Sequence, residues 1–116
     1  MIFVVNGNIW RLDFVRSSSN NLQRSDGTFT FGVTDNNLKT VFMADNLSNY
    51  MRDKVFLHEL THVHAFEYDY VIPIEVEEIV ADFLSLYGRD IVYLADRVMN
   101  NLWVCQVFCV SFKKKF

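Results

Sequence analysis

The run Val55-Phe56-Leu57-His58-Glu59-Leu60-Thr61-His62-Val63 sets two histidines four positions apart, with a glutamate directly after the first, inside an apolar stretch. On an α-helix of about 3.6 residues per turn, His58 and His62 fall one turn apart on one face, so both imidazoles can bind one metal ion. Glu59 falls on the flank of that face. It is then near the metal without being forced to ligate it, which suits a general base acting on metal-activated water.

A helical wheel puts Met51, Val55 and Phe66 near the histidines, Phe56, Leu60 and Val63 opposite them, and Leu57 on a flank. A helix that is apolar nearly all round is expected to lie at the centre of the fold. Buried imidazoles need partners for their ring nitrogens, and two of them beside a carboxylate have few stable alternatives to a metal.

A catalytic Zn2+ site takes three protein ligands and keeps an open position. Beyond Pro73 the sequence offers Glu75, Glu77 and Glu78, followed by Asp82. Glu78 and Asp82 share a helical face, Glu75 lies near it, and Glu77 is expected to point elsewhere. With Glu78 on the metal, Asp82 stands one turn on, able to accept the free ring N–H of a ligand histidine and fix its tautomer. Glu78 is thus the expected third ligand, with Glu75 and Glu77 as alternatives. Carboxylates at a helix N-terminus also complement the macrodipole without any metal. His64 projects from another side and stays outside the set.

The remaining elements must position this group. Residues 2–5 and 8–15 flank Asn6-Gly7, a strong hairpin signal because both residues tolerate positive φ. Trp10, Leu12 and Phe14 alternate with Ile9, Arg11 and Asp13, which predicts one buried and one wet face. Ser17-Ser18-Ser19-Asn20-Asn21 reads as a loop and Asp26-Gly27 as a turn. A second hairpin follows: residues 28–33, a turn at 35–37, and residues 38–44. Asp45, Asn46 or Ser48 can cap the metal helix, expected over residues 48–66. Pro73 fits the first turn of a second helix ending at Gly88, with Ile79, Val80, Phe83 and Tyr87 as its buried stripe. Asp90 can cap a third, reaching about Leu102, while residues 103–112 are open between helix and strand. The expected class is α+β: a small antiparallel sheet on a central metal-binding helix, with two further helices.

At 116 residues, with hydrophobic residues making up 51% and eleven Phe, the chain suits a single domain over 1–116. A net charge of −3 with no basic stripe argues against a nucleic-acid partner. Lys113-Lys114-Lys115 is a local charge run. Cys105 and Cys109 are too few for a disulfide framework. The N-terminal apolar stretch lacks a basic leader and reads as a strand, and residues 102–112 are too short to span a bilayer, so a cytoplasmic protein without a membrane partner is expected.

His58-Glu59-Leu60-Thr61-His62, followed by Glu78 and the Ala81-Asp82 step, resembles the gluzincin pattern, in which a Glu on a following helix completes the zinc site and a nearby Asp supports a histidine. The compact layout is similar to the small ImmA/IrrE-like metallopeptidases of bacteria and their mobile elements, and the segment Gly32–Asp35 through Lys39–Ala44 is similar to short phage-encoded proteins of this type. The likeness covers about residues 25–92. Thr61 stands where Gly is common in that family, and the acidic segment departs from its usual Glu-x-Glu-Ala-Asn run, which leaves the third ligand open.

The resemblance implies a minimal zincin-like fold and hydrolysis of a peptide bond in a regulatory protein such as a repressor. Glu59 would take the proton from water and pass it to the leaving amine. His64, Tyr68, Tyr70 and Tyr87 are oxyanion-donor candidates by residue type, and residues 38–44 a sheet edge for an extended substrate. The alternative is a non-catalytic interaction module on the same scaffold, binding a protein partner through an aromatic tail around Trp103, Phe108 and Phe112.

Overall fold

The computed structural model describes residues 1–108, with side chains to Leu102. It is α+β, as the pattern of elements predicts. Strands β1 (Ile2–Val5), β2 (Asn8–Val15), β3 (Gly32–Asp35) and β4 (Thr40–Ala44) precede helices α1 (Asn49–Glu67) and α2 (Ile74–Phe108), with one 3-10 turn at Asn20–Leu22. Two compact units result, Met1–Leu86 and a second beginning at Tyr87. Every residue of the candidate site belongs to the first. Among the described residues no helix is long and apolar enough to cross a membrane.

Asn6 and Gly7 close the first hairpin with φ of 51° and 77°, the left-handed pair that matches strand twist. Both flanking strands follow the predicted ranges. The sheet order is β1-β2-β4-β3. Here the structure corrects the expected antiparallel sheet: β2 and β4 pair in parallel, Leu12 beside Val41 and Phe14 beside Met43, so the sheet is mixed. The chain between Val15 and β3 carries the crossover that a parallel pair requires.

That topology explains β4, in which all five residues are buried. Val41 and Met43 join Val5, Trp10, Leu12 and Val63 in one core cluster, beneath α1. Phe42 and Ala44 pack with Leu22 of the 3-10 turn on the other face. A strand covered on both faces reads as a continuous apolar run, which is how Thr40-Val41-Phe42-Met43-Ala44 reads. It also makes β4 an interior strand, so β3 and β1 are the sheet edges, not residues 38–44.

Ser48 caps α1, its Oγ accepting the Met51 amide at 3.2 Å. The helix is buried along one side only, at Glu59, His62 and Val63, and not all round. It lies on one face of the four-stranded sheet, with Val63, Val55 and Phe56 against the strands and the first turns of α2 against its histidines. Its C-terminal end is fastened to the strands through Glu67. Trp10 Nε1 donates to Glu67 Oε1 at 2.7 Å, Asn8 donates to the other oxygen, and Lys39 Nζ stands 3.2 Å away. Trp10 is fully buried, so its indole N–H needs this acceptor. Truncating a buried aromatic of this size costs about 3–5 kcal/mol.

The carbonyl of Pro73 accepts the Val76 and Glu77 amides, so Pro73 sits just before α2 and satisfies its first turn. Gly88 does not end the helix. The two helices expected after α1 are one, because a glycine inside a long helix costs only about 1 kcal/mol and nothing here imposes a left-handed cap. The buried face is also not the predicted stripe. Ile79, Val80, Phe83 and Tyr87 are exposed, whereas Glu77 and Ala81 are buried. Residues 103–108 continue α2; the side chains of Trp103, Cys105 and Phe108, and all of Cys109, Phe112 and Lys113–Lys115, lie outside the described residues.

Candidate metal centre

Helix α1 presents His58 and His62 one turn apart, and the first turns of α2 face them. His62 Nε2 lies 2.9 Å from Glu78 Oε1, His58 Nε2 lies 3.3 Å from Glu78 Oε2, and the two Nε2 atoms are 3.3 Å apart. Ligands held about 2.0–2.1 Å from zinc at tetrahedral angles stand about 3.3 Å from one another. The two imidazole nitrogens and the two carboxylate oxygens of Glu78 therefore stand at separations that suit one such ion, which each residue can reach with one atom. Nothing else among the described residues gathers three His, Cys, Asp or Glu donors in this way.

The far sides of both rings are anchored. His62 Nδ1 is hydrogen-bonded to Glu77 Oε2 in a buried contact, and His58 Nδ1 lies 3.0 Å from Asp82 Oδ1. With each Nδ1–H donating to a carboxylate, a neutral ring turns its Nε2 lone pair toward the shared centre. The centre then holds two lone pairs and a carboxylate facing one another. A single proton bridges one of the three contacts; a divalent cation satisfies all three.

Asp82 stands where the i, i+4 spacing from Glu78 put it. Glu77 does not point elsewhere: it is buried against His62. Its position one residue before Glu78 turns it, with Ala81, to the buried side of α2, whereas Ile79 and Phe83 are exposed. Glu75 is exposed and lines no part of the cleft.

Glu59 is 7% exposed and accepts from Thr34 Oγ1 through Oε1 at 2.9 Å, while Oε2 lies 3.9 Å from His58 Nε2. It borders the centre without joining it. Burial pushes its carboxyl above the usual range, reinforced by the charge of Glu78, against the Thr34 bond and the two histidines. Thr34, on edge strand β3, was not foreseen as a partner. Gly32, two residues earlier on the same face, leaves the space in which Glu59 and Val55 pack.

Two adjoining clefts of about 440 and 360 Å³ open over the centre and share Arg24, Thr30, Gly32, His58, Glu59 and Glu78 as walls. Val55 and Met51 line one and Phe66 the other, as the wheel implied. His64, Tyr68, Tyr70 and Tyr87 line neither. His64 instead bonds the Leu60 carbonyl and stacks on Tyr68.

Comparison with protein-family models, curated proteins and solved structures returns no match. The functional reading rests on the residues and their geometry.

Proposed function

We propose that this chain is a cytoplasmic zinc-dependent metallopeptidase, similar in type to gluzincins and to the small ImmA/IrrE-like enzymes, that hydrolyses a peptide bond in a regulatory protein such as a repressor. The observation that carries this reading is the convergence of His58, His62 and Glu78 at zinc-ligand separations, with both Nδ1 atoms already committed to carboxylates. A zinc ion bound there supplies Lewis acidity, lowering the pKa of water and polarising a carbonyl.

The chain's own groups supply the rest. Thr34 holds one oxygen of Glu59, leaving the other to take a proton from the attacking water and return it to the leaving amine. Glu77 and Asp82 keep the two rings in one tautomer and orientation. The outer edge of β3 borders the cleft through Gly32, Val33 and Thr34, and supports an extended peptide by strand addition.

Elemental analysis of protein purified without added metal tests the first step, with one zinc per chain expected. Glu59→Gln then separates catalysis from structure: hydrolysis falls by about two to four orders of magnitude while zinc content and melting temperature hold. Zinc retained with Glu59→Gln biologically silent would favour the interaction module instead, and no zinc at all would defeat both.

A further inference from the structure

We infer that the cleft selects a peptide carrying an acidic side chain beside the scissile bond, read by Arg24 and Lys54. This rests on the peptidase reading and names the substrate class for the same site. Arg24 borders both halves of the cleft, and Lys54 borders only the half that also contains Asp82. Phe66 and Ile74 border only the other half, while Phe31, Met51 and Val55 share the half that holds Lys54.

The acids in this cleft are already committed. Glu78 belongs to the metal centre, Glu77 and Asp82 bind the far nitrogens of the histidines, and Glu59 is held by Thr34. The two cations are not so engaged. Arg24 Nη2 makes a single long bond, 3.4 Å, to Thr30 Oγ1, and neither Arg24 nor Lys54 forms an ion pair among the described residues. Asp26, the carboxylate closest in sequence to Arg24, is bound by the hydroxyl and amide of Thr28; these bonds, with a smaller contribution from the Arg24 charge, hold its carboxyl below the usual range.

With a divalent ion in place, the four carboxylates Glu59, Glu77, Glu78 and Asp82 are balanced by two charges from the metal and two from Arg24 and Lys54. The charge of the metal would face the reacting carbonyl, and the guanidinium and ammonium are left to meet a side chain of the peptide. A guanidinium and an ammonium bordering the same half of the cleft offer a site for a carboxylate, with Arg supplying the planar fork and Lys a mobile point charge. Opposed like charges would reject a basic residue there, which is how such a site discriminates.

The experiment uses the full zinc-loaded chain and random decapeptide libraries with Asp or Glu, Ala, or Lys fixed at the centre. Capture on the Glu59→Gln protein, which holds peptides without turning them over, is read by mass spectrometry. Acidic peptides should be enriched about tenfold or more over the Ala set, with the Lys set lowest, and Arg24→Ala with Lys54→Ala should erase the preference while zinc stays at one per chain. Equal capture of the three libraries overturns the proposal, as does a preference that survives the double substitution.

Cleavage by the wild-type protein separates the two readings. Acidic capture without cleavage would defeat the peptidase and leave the carboxylate site standing. Cleavage indifferent to the fixed residue would do the reverse. A loss of cleavage in Arg24→Ala that is equal for all three libraries would make Arg24 a donor to the reacting carbonyl and overturn its selective role.

Discussion

Gly32→Ala should disturb Glu59 before it disturbs anything else. A Cβ on residue 32 would stand 2.7 Å from Val55 Cγ1, 3.1 Å from Glu59 Cγ and 3.4 Å from Glu59 Cδ. Carbon atoms rest about 3.5–4.0 Å apart, so Val55 must yield by about 1 Å and Glu59 by a few tenths. Val55 sits on a helix, where a β-branched side chain has essentially one rotamer, so relief comes from moving α1 away from β3 or from turning the Glu59 side chain. Overpacking of this kind costs about 1–3 kcal/mol. In a chain of this size each kcal/mol lowers the melting temperature by about 4 °C, giving a fall of about 4–12 °C. The backbone of Gly32 is not left-handed, so the cost is one of space, and removing the obstructing atom should recover part of it. Val55→Ala deletes Cγ1, and the double variant should exceed the sum of the singles by about 1 kcal/mol in a thermal or urea unfolding cycle. Zinc content should stay at one per chain throughout, because the atoms nearest the new methyl group belong to Val55 and Glu59 and not to the three ligands, whereas peptide hydrolysis should fall with the displaced base. A Gly32→Ala protein that melts with the wild type and hydrolyses peptide at the same rate would refute the close approach of β3 to Glu59.

The ligand assignment predicts two classes of metal affinity: Glu78→Gln should leave no stoichiometric zinc, whereas Glu77→Gln and Asp82→Asn should each bind about 10–100-fold more weakly, measured by competition with a chelating dye. Thr34→Val should retain zinc and fold but lose turnover, and Thr34→Ser should restore it; equal activity in all three would show that the hydroxyl does not position Glu59. Hydrogen bonds from Asn8 and Trp10, with Lys39 nearby, hold the Glu67 carboxyl below its usual range. A depressed folded pKa gives stability that is present above the unfolded value of about 4.3 and is lost as pH falls through the lower folded value. The urea midpoint of the wild type should therefore drop more between pH 6 and pH 3 than that of Glu67→Gln, and parallel curves would contradict the assignment.

How far the fold was legible depends on whether a signal was local. Asn6-Gly7 and the four-residue spacing of His58 and His62 each act within one turn of chain and stand in the structure where the sequence put them, and of the three candidate caps Asp45, Asn46 and Ser48 it is Ser48 that caps α1. The parallel pairing of β2 with β4 spans a long connection, and no turn residue encodes it. Its one trace is the apolar run over residues 41–44 in β4, which fits a strand covered on both faces and fits an edge strand as well.

The larger miss lay in α2 and has a different cause. Hydropathy put Ile79, Val80, Phe83 and Tyr87 inward, yet the inward residues are Glu77, Ala81 and, at the rim, Glu78 and Asp82. A pattern rule assumes that the buried face is the apolar one. It fails where the neighbour is a pair of imidazoles, because carboxylates there form charge-assisted hydrogen bonds that an apolar stripe cannot supply. Local rules are expected to break at functional sites. The orientation of α2 is thus itself an argument about the centre: a helix that leaves Ile79 67% exposed and Phe83 50% exposed in order to present Glu77, Glu78 and Asp82 to two histidines is positioned by what those carboxylates bind.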